Sequence, residues 1–296
     1  MHGVKRTAAR MLATRIAPAF RSARPEVFTG RTLAERLRAL VRATSLSDEP
    51  ASSVDALLSA LIELGVVTKA VLNSRGYPSI SRYLAGGPTP LQIAASLRPT
   101  GYLSHASAAF IHGLNDEPIG TAYVNAEQSP KPGSDVELSQ LAIARAFARP
   151  QRASRYVFTF DKCQYVILSG KHTDDLGVIT LTHSDGTSLR TTDLERTLVD
   201  LVVRPSYAGG VDRLRVAFKR SMNRVSIPHL LGTLRALDHV YPYHQALGLL
   251  FERVGMPSAE LEPLRALKIE FDFYLAHGMK QPVFDAGWRI YHPNGF

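Results

Sequence analysis

The sequence predicts an α+β protein in two parts: a small unit over residues 1–86 and a larger mixed unit over residues 91–296 with a helical C-terminal part. Three observations predict it. Apolar residues recur at helical spacing through much of the first 65 positions, and two short β-prone runs follow around a glycine turn. The turn formers Ala85-Gly86-Gly87-Pro88-Thr89-Pro90 then interrupt any regular element and mark a boundary. Beyond them strand-like runs come first and helical ones later, without the alternation of a doubly wound sheet.

Residues 7–20 read as a first helix, broken by Pro25. Thr29 or Thr32 can cap a second, because a threonine oxygen accepts from the free N–H groups of a first turn. Leu33, Leu37, Leu40 and Val41 share one face of it, leaving Arg31, Arg36, Arg38 and Arg42 largely on others. Ser52 or Ser53 caps a third helix that buries Val54, Leu57, Leu58, Leu61, Ile62 and Leu64 and ends at Gly65. Residues 66–72 and 77–83, joined through Asn73-Ser74-Arg75-Gly76, read as a hairpin.

Three helices and a basic-tipped hairpin are the outline of a winged helix-turn-helix. In that arrangement the third helix enters the major groove of duplex DNA. Its polar side offers Ser52, Ser53 and Ser59, and the wing offers Lys69, Asn73, Ser74 and Arg75. The third helix carries no Arg or Lys, so direct base readout from it is modest and the wing carries more of the contact.

In the larger unit, residues 104–112 form a small-residue helix stopped by Gly113, and residues 121–125, 156–160, 164–168 and 178–182 are strands. Asp193 caps a helix over 194–203 that buries Leu194, Leu198, Leu201 and Val202. The chain past Pro205 reads as mainly helical.

Composition narrows the partners. A net charge of +9 and a pI near 9.8 favour a polyanion, since binding one releases its condensed counterions. The first 44 residues hold ten Lys/Arg against Glu26 and Glu35. The apolar runs fall short of the ~20 residues of a membrane span, and Arg10 and Arg15 interrupt a secretory leader. A single cysteine, Cys163, excludes an internal disulfide and a cysteine-rich zinc site, which fits a cytoplasmic protein.

No catalytic constellation emerges. Gly170-Lys171-His172 lacks the spaced glycine and the Ser/Thr of a phosphate loop. His105 and His112 lie two turns apart where a helical metal pair lies one, and the other histidines, His229 among them, show no ligand spacing. Asp193 and Glu195 are read as a cap and a first-turn acid, and Glu195 with Arg196 and Asp200 as residues able to form surface pairs. Neither a cofactor nor a metal is expected.

Several motifs in order carry a resemblance. They are Tyr102-Leu103-Ser104-His105-Ala106-Ser107-Ala108-Ala109-Phe110-Ile111-His112-Gly113-Leu114, Tyr123-Val124-Asn125, Gly170-Lys171-His172-Thr173 and Thr192-Asp193-Leu194-Glu195-Arg196-Thr197-Leu198-Val199-Asp200. Pro205, Tyr207, Ala208-Gly209-Gly210, Tyr241-Pro242-Tyr243-His244-Gln245-Ala246 and Phe271-Asp272-Phe273-Tyr274-Leu275 follow. Over residues 101–296 the chain resembles AbiEi-type antitoxins; over the first 85 only the winged-helix outline agrees.

The resemblance implies a non-enzymatic repressor and antitoxin that binds repeats in its own promoter and neutralises a nucleotidyltransferase-like toxin. It also implies DNA contact by a basic C-terminal face, for which Arg152, Arg155, Lys219, Arg220 and Arg224 are the candidates. Ser104, His105, Ser107, Glu195, Arg196 and Asp200 are expected to be architectural. Two alternatives stand beside this: a metal-dependent nucleic-acid enzyme, and a protein-interaction module that does not touch DNA.

Overall fold

A computed structural model describes residues 2–21, 24–43, 53–131, 137–182 and 186–296, and the fold is mixed α+β. Helices α1 (His2–Arg21), α2 (Gly30–Ala43) and α3 (Val54–Glu63) pack beside strands β1 (Glu26–Phe28), β2 (Thr68–Leu72) and β3 (Ile80–Ala85). The strands form an antiparallel sheet in the order β1-β3-β2. Helix α2 starts on a reciprocal pair, Thr29 N–H to Thr32 Oγ1 at 2.9 Å and Thr32 N–H to Thr29 Oγ1 at 3.1 Å, so both threonines act in the cap. Gly65 ends α3 with a φ of 65°, a conformation that a side chain disfavours. Leu33, Leu37, Leu57 and Leu61 close a core with Ile16 and Phe20 of α1. Ile62, expected inside, is exposed, because α3 buries Leu57, Ala60 and Leu61 and turns the next position outward.

The Gly-Pro turn is a junction, and the hairpin beside it is docked. Thr89 caps α4 (Pro90–Ser96) in a capping box with Gln92. Ala70 and Leu72 of β2 share a core with Leu91, Ile93 and Ala94 of α4 and with Val124, Phe158 and Ile167 of the large sheet. Arg82 on β3 donates to Ser96 Oγ and to its carbonyl, at 3.1 and 2.9 Å.

That sheet has six strands in the order β6-β7-β5-β4-β9-β8. These are β4 (Tyr102–Leu103), β5 (Thr121–Glu127), β6 (Val157–Phe160), β7 (Cys163–Gly170), β8 (Val178–Thr182) and β9 (Ser188–Thr192). Parallel contacts (β5 with β7, β4 with β9) alternate with antiparallel ones. Helix α5 (His105–Ile111) packs on β5 and on α7 (Leu194–Val203), while α6 (Gln140–Phe147) packs against the later segment Phe273–Tyr274. A helical layer follows, with α8 (Val211–Ser221), α9 (Ile227–Leu237), α10 (Tyr243–Arg253) and α11 (Ser258–Arg265) closing on α7 through Leu198, Leu230, Leu247 and Leu250.

The region past Pro205 is not helical throughout. Strands β10 (Phe273–Tyr274), β11 (Val283–Asp285) and β12 (Ile290–His292) form a small sheet in the order β10-β12-β11. Gln245 holds it to α10 by donating from Nε2 to the carbonyls of Phe271, Trp288 and Arg289. Such short strands, stabilised by one distant amide, leave no alternating pattern long enough to read in sequence. Among the described residues no helix is long and apolar enough to cross a membrane.

Candidate functional site

Charge is divided unevenly. Residues 1–86 contain thirteen Lys/Arg against six Asp/Glu, whereas residues 87–296 contain twenty-two against twenty. On α2 the side chains of Arg31, Arg36, Arg38 and Arg42 are all exposed, because the apolar residues between them turn inward. Only Arg31 among these four has a described carboxylate in reach, Glu35 at 4.0 Å. These arginines join the candidate residues on the hairpin as exposed cations of the N-terminal unit.

Ser52 lies outside the described residues. Ser53 is the N-cap of α3, its Oγ accepting from Ala56 N–H at 3.1 Å, and Ser59 is exposed on the same helix. Lys69 and Arg75 are exposed on the hairpin. Asn73 and Ser74 are more committed. The Asn73 backbone forms a bridge with Thr159 of β6, its Oδ1 accepts from Ser79 at 3.0 Å, and Ser74 Oγ accepts from Gly76 N–H at 3.4 Å. Tyr77 packs at a tilt of 33° against Tyr156 with ring centroids 3.8 Å apart, so the hairpin leans on the large sheet.

The C-terminal candidates separate. Arg152 lines a cavity, while Arg155 is exposed on the approach to β6. On α8, Arg220 pairs with Asp116 at 2.8 Å and the neighbouring Arg213 pairs with Glu117. Arg224 donates to the His112 carbonyl at 2.7 Å. Lys219 is exposed and has no described carboxylate within salt-bridge reach. Acids on the loop after α5 thus offset part of the basic patch expected on α8, which spacing along one helix cannot reveal.

The cavity measures roughly 1040 Å³ and opens between α6, the end of β7, the segment after α7 and the start of α10. Its floor is a buried polar network. Arg196 donates from Nε to Asp200 Oδ1 at 2.9 Å and from a terminal nitrogen to the Leu176 carbonyl at 2.7 Å. Asn125 Nδ2 donates to the Tyr102 hydroxyl at 2.7 Å, which donates to Glu127 Oε1 at 3.1 Å. The Glu127 carboxylate also accepts from the Thr173 hydroxyl and amide.

Burial sets the titrations here. It pushes the Tyr102 hydroxyl up to about 12 and the imidazoles of His105 and His239 down to about 4. Burial alone would raise the Glu127 carboxyl, but the bonds from Thr173 and Tyr102 outweigh it and hold it below its usual value. The Cys163 thiol is raised by burial, the opposite of what a nucleophile requires.

The signature residues have structural partners. Ser107 Oγ accepts from Tyr123 N–H at 2.7 Å, and Glu195 Oε1 accepts from Ser226 N–H at 2.8 Å. His112 Nε2 lies 2.7 Å from the Thr192 carbonyl, whereas His105 Nδ1 pairs with Ser104 Oγ at 2.9 Å. Gly170 ends β7, where its N–H donates to Asn125 Oδ1 at 2.9 Å. Lys171 Nζ donates to the carbonyls of Leu237 and Asp238, so Gly170-Lys171-His172 is a strand end tied to α9.

One grouping was missed by the sequence. Asp193, Glu195 and His229 each bring a ligand atom within 4.8 Å of the others, and these three could hold a divalent cation. Asp193 keeps its capping role through Oδ1, which accepts from Arg196 N–H at 2.7 Å. His229 reaches the pair from the first turn of α9, so no local spacing announces it.

No protein-family model and no curated protein matches the chain. In fold the chain is similar to the crystal structure of the RV2827C protein from Mycobacterium tuberculosis, over 95% of this chain and 91% of that one, with a TM-score of 0.56. The two are 15% identical, so the likeness carries the fold alone.

Proposed function

We propose that the protein is a DNA-binding transcriptional repressor and antitoxin of the AbiEi type, with residues 1–86 acting as a winged helix. The observation that carries this reading is the basic N-terminal layer: the exposed arginines of α2 belong to a unit of three helices and three strands ordered β1-β3-β2. In a winged helix the third helix lies in the major groove and the wing grips the flanking backbone. Ser59 on α3 and Lys69 and Arg75 on the hairpin suit those roles. Arg36, Arg38 and Arg42 supply phosphate contacts that α3 lacks. The motifs over residues 101–296 support the antitoxin role, exerted in the cytoplasm against a nucleotidyltransferase-like toxin.

The test is binding to the fragment upstream of the protein's own gene across a salt series. Replacing Lys69 and Arg75 together, or Arg36, Arg38 and Arg42 together, is expected to weaken binding. Each lost phosphate contact lowers the log–log salt slope by about 0.9. Unchanged slopes in both variants would refute the interface. A protein that binds no DNA yet survives gel filtration in complex with the neighbouring gene's product would be the interaction module instead.

The cluster of Asp193, Glu195 and His229 favours a second reading, a metal-dependent nucleic-acid enzyme. Cleavage or modification of DNA or RNA with magnesium or manganese, abolished by Asp193→Asn, would establish it in place of the repressor.

A further inference from the structure

We propose that the cavity behind α6 is a nucleotide-binding site, a function separate from the duplex interface of the N-terminal layer. Its size comes first: about 1040 Å³ is at the large end for small-molecule sites, and its walls come from several elements that already pack together.

Its charge comes second. Arg145, Arg149, Arg152, Lys171 and Arg204 line it above the buried Arg196, against one carboxylate among the described lining residues, Asp200. Asp200 is engaged by Arg196, and Lys171 lies 3.8 Å from Asp238 outside the cavity lining. None of Arg145, Arg149, Arg152 and Arg204 has a described carboxylate within 4.0 Å, and the one hydrogen bond among them runs from Arg204 to the Arg152 carbonyl at 3.0 Å. Outside the cavity, six arginines of the larger unit have a described carboxylate within 4.0 Å, among them Arg190 with Asp175 and Arg289 with Asp272, and those without one, such as Arg155 and Arg215, are not gathered around a shared volume. Guanidinium groups gathered around one volume without counter-charge suit a ligand with several negative charges, and arginine forks match phosphate oxygens in particular.

The remaining walls select more than a bare anion. Tyr207, Tyr241, Tyr243 and His277 line the same volume. Their rings are held by packing: Tyr207 stands edge-on to His105, Tyr241 edge-on to Phe147, and His277 stacks on Phe147. Fixed rings beside arginines form a platform for a planar base, as in single-strand and nucleotide sites. His239, also in the wall, has a buried Nε2 with no described hydrogen-bond partner, a polar atom that a base edge or ribose hydroxyl would satisfy. An inorganic anion would use the arginines and leave the rings and His239 without a role.

The experiment is calorimetric titration of the full chain with ATP, inorganic pyrophosphate and adenosine as separate probes. Saturable ATP binding is expected, with pyrophosphate and adenosine each at least about tenfold weaker, since each makes only part of the contacts. Arg149→Ala with Arg152→Ala, both at exposed positions on the rim, is expected to weaken ATP about a hundredfold by removing two charge-assisted contacts. Arg215→Ala, exposed on α8 and outside the lining, is expected to leave binding unchanged. The same holds for the Lys69 and Arg75 double replacement, which separates this site from the DNA reading. Absence of ATP binding, or equal loss in the Arg215 variant, would overturn the site. Pyrophosphate binding as tightly as ATP, or a single-stranded oligonucleotide displacing ATP at equal affinity, would overturn its assignment to a mononucleotide.

Discussion

Replacing Arg196 with methionine tests whether the signature helix is built around one buried ion pair. The Arg196 and Asp200 side chains are only 7% and 11% exposed, one turn apart on α7. Burial by itself would lower the affinity of Arg196 for its proton, and the facing Asp200 carboxylate reverses that and holds it raised. The pair therefore survives because each charge answers the other. Arg196→Met leaves the buried Asp200 carboxyl without its partner, a situation that costs about 3–5 kcal/mol. It also leaves the Leu176 carbonyl without its 2.7 Å donor, a further cost of about 1 kcal/mol. At ~2–4 °C per kcal/mol the melting temperature falls by roughly 8–24 °C. The double replacement Arg196→Met with Asp200→Leu removes both charges, and an apolar pair of similar volume is often neutral relative to a buried ion pair. It is expected to be more stable than Arg196→Met by at least about 2 kcal/mol. Urea unfolding followed by circular dichroism, with midpoints compared at constant m, supplies the double-mutant cycle. Additive destabilisation in the double variant would refute the reasoning, because it would mean that the two charges do not depend on each other.

Two further outcomes follow from burial. Gly248→Ala on α10 is expected to destabilise the protein by about 3 kcal/mol, near the top of the usual overpacking range, although alanine favours a helix by about 1 kcal/mol over glycine. The added Cβ would lie 2.2 Å from ring carbons of Trp288, which is fully buried. Trp288 is the sole tryptophan, so emission and melting temperature both report the change, and an unaltered or raised melting temperature would contradict it. Stability is also expected to fall on acidification from pH 6.5 through about 4. The folded-state pKa of His105 is lowered from 6.5 to about 4, so between these values the unfolded chain binds the proton and the folded one does not. At pH 5 the loss from His105 is roughly 2 kcal/mol, and it vanishes above pH 7. His105→Asn, chosen because asparagine tolerates the positive φ of 52° found there, is expected to flatten this slope in a urea midpoint series. A slope equal to that of the parent would show that His105 is not the group responsible.

Much of the local structure was legible because its causes are local. Residue type and position mark Thr29 and Thr32, Ser53 and Asp193 as caps, and each accepts an amide at a helix start. Gly65 and Gly113 were read as helix stops and take positive φ. The hairpin after Gly65 followed from β-prone runs around a glycine turn, although its register is set by pairing with β1 and with β6. The short strands β10 to β12 are not legible, since they depend on Gln245 and Trp288 finding partners far along the chain. The capping box at Thr89 is written in local spacing, with Gln92 three residues on, but the turn formers just before it mask the helix start.

Candidate residues divide along the same line. Exposed Arg and Lys on α2 and the hairpin are determined by which face of an element is apolar, and periodicity reports that. Pairing across elements is different. Asp116 and Glu117 take Arg220 and Arg213 out of a basic patch, and His229 joins Asp193 and Glu195 across thirty-four positions or more. Arg145, Arg149 and Arg152 have near-helical spacing interrupted by Pro150, and α6 ends at Phe147, so that the three line one cavity from a helix and the loop after it.

By itself, then, the sequence determined an α+β chain with a basic, helix-rich beginning and a more neutral remainder, because propensity, capping and charge are properties of short stretches. Only the tertiary structure decided which charges stay free. A charge is neutralised by whatever folding brings within a few ångströms of it, and that depends on the packing of α5, α7, α8 and the large sheet, which no single stretch of sequence contains.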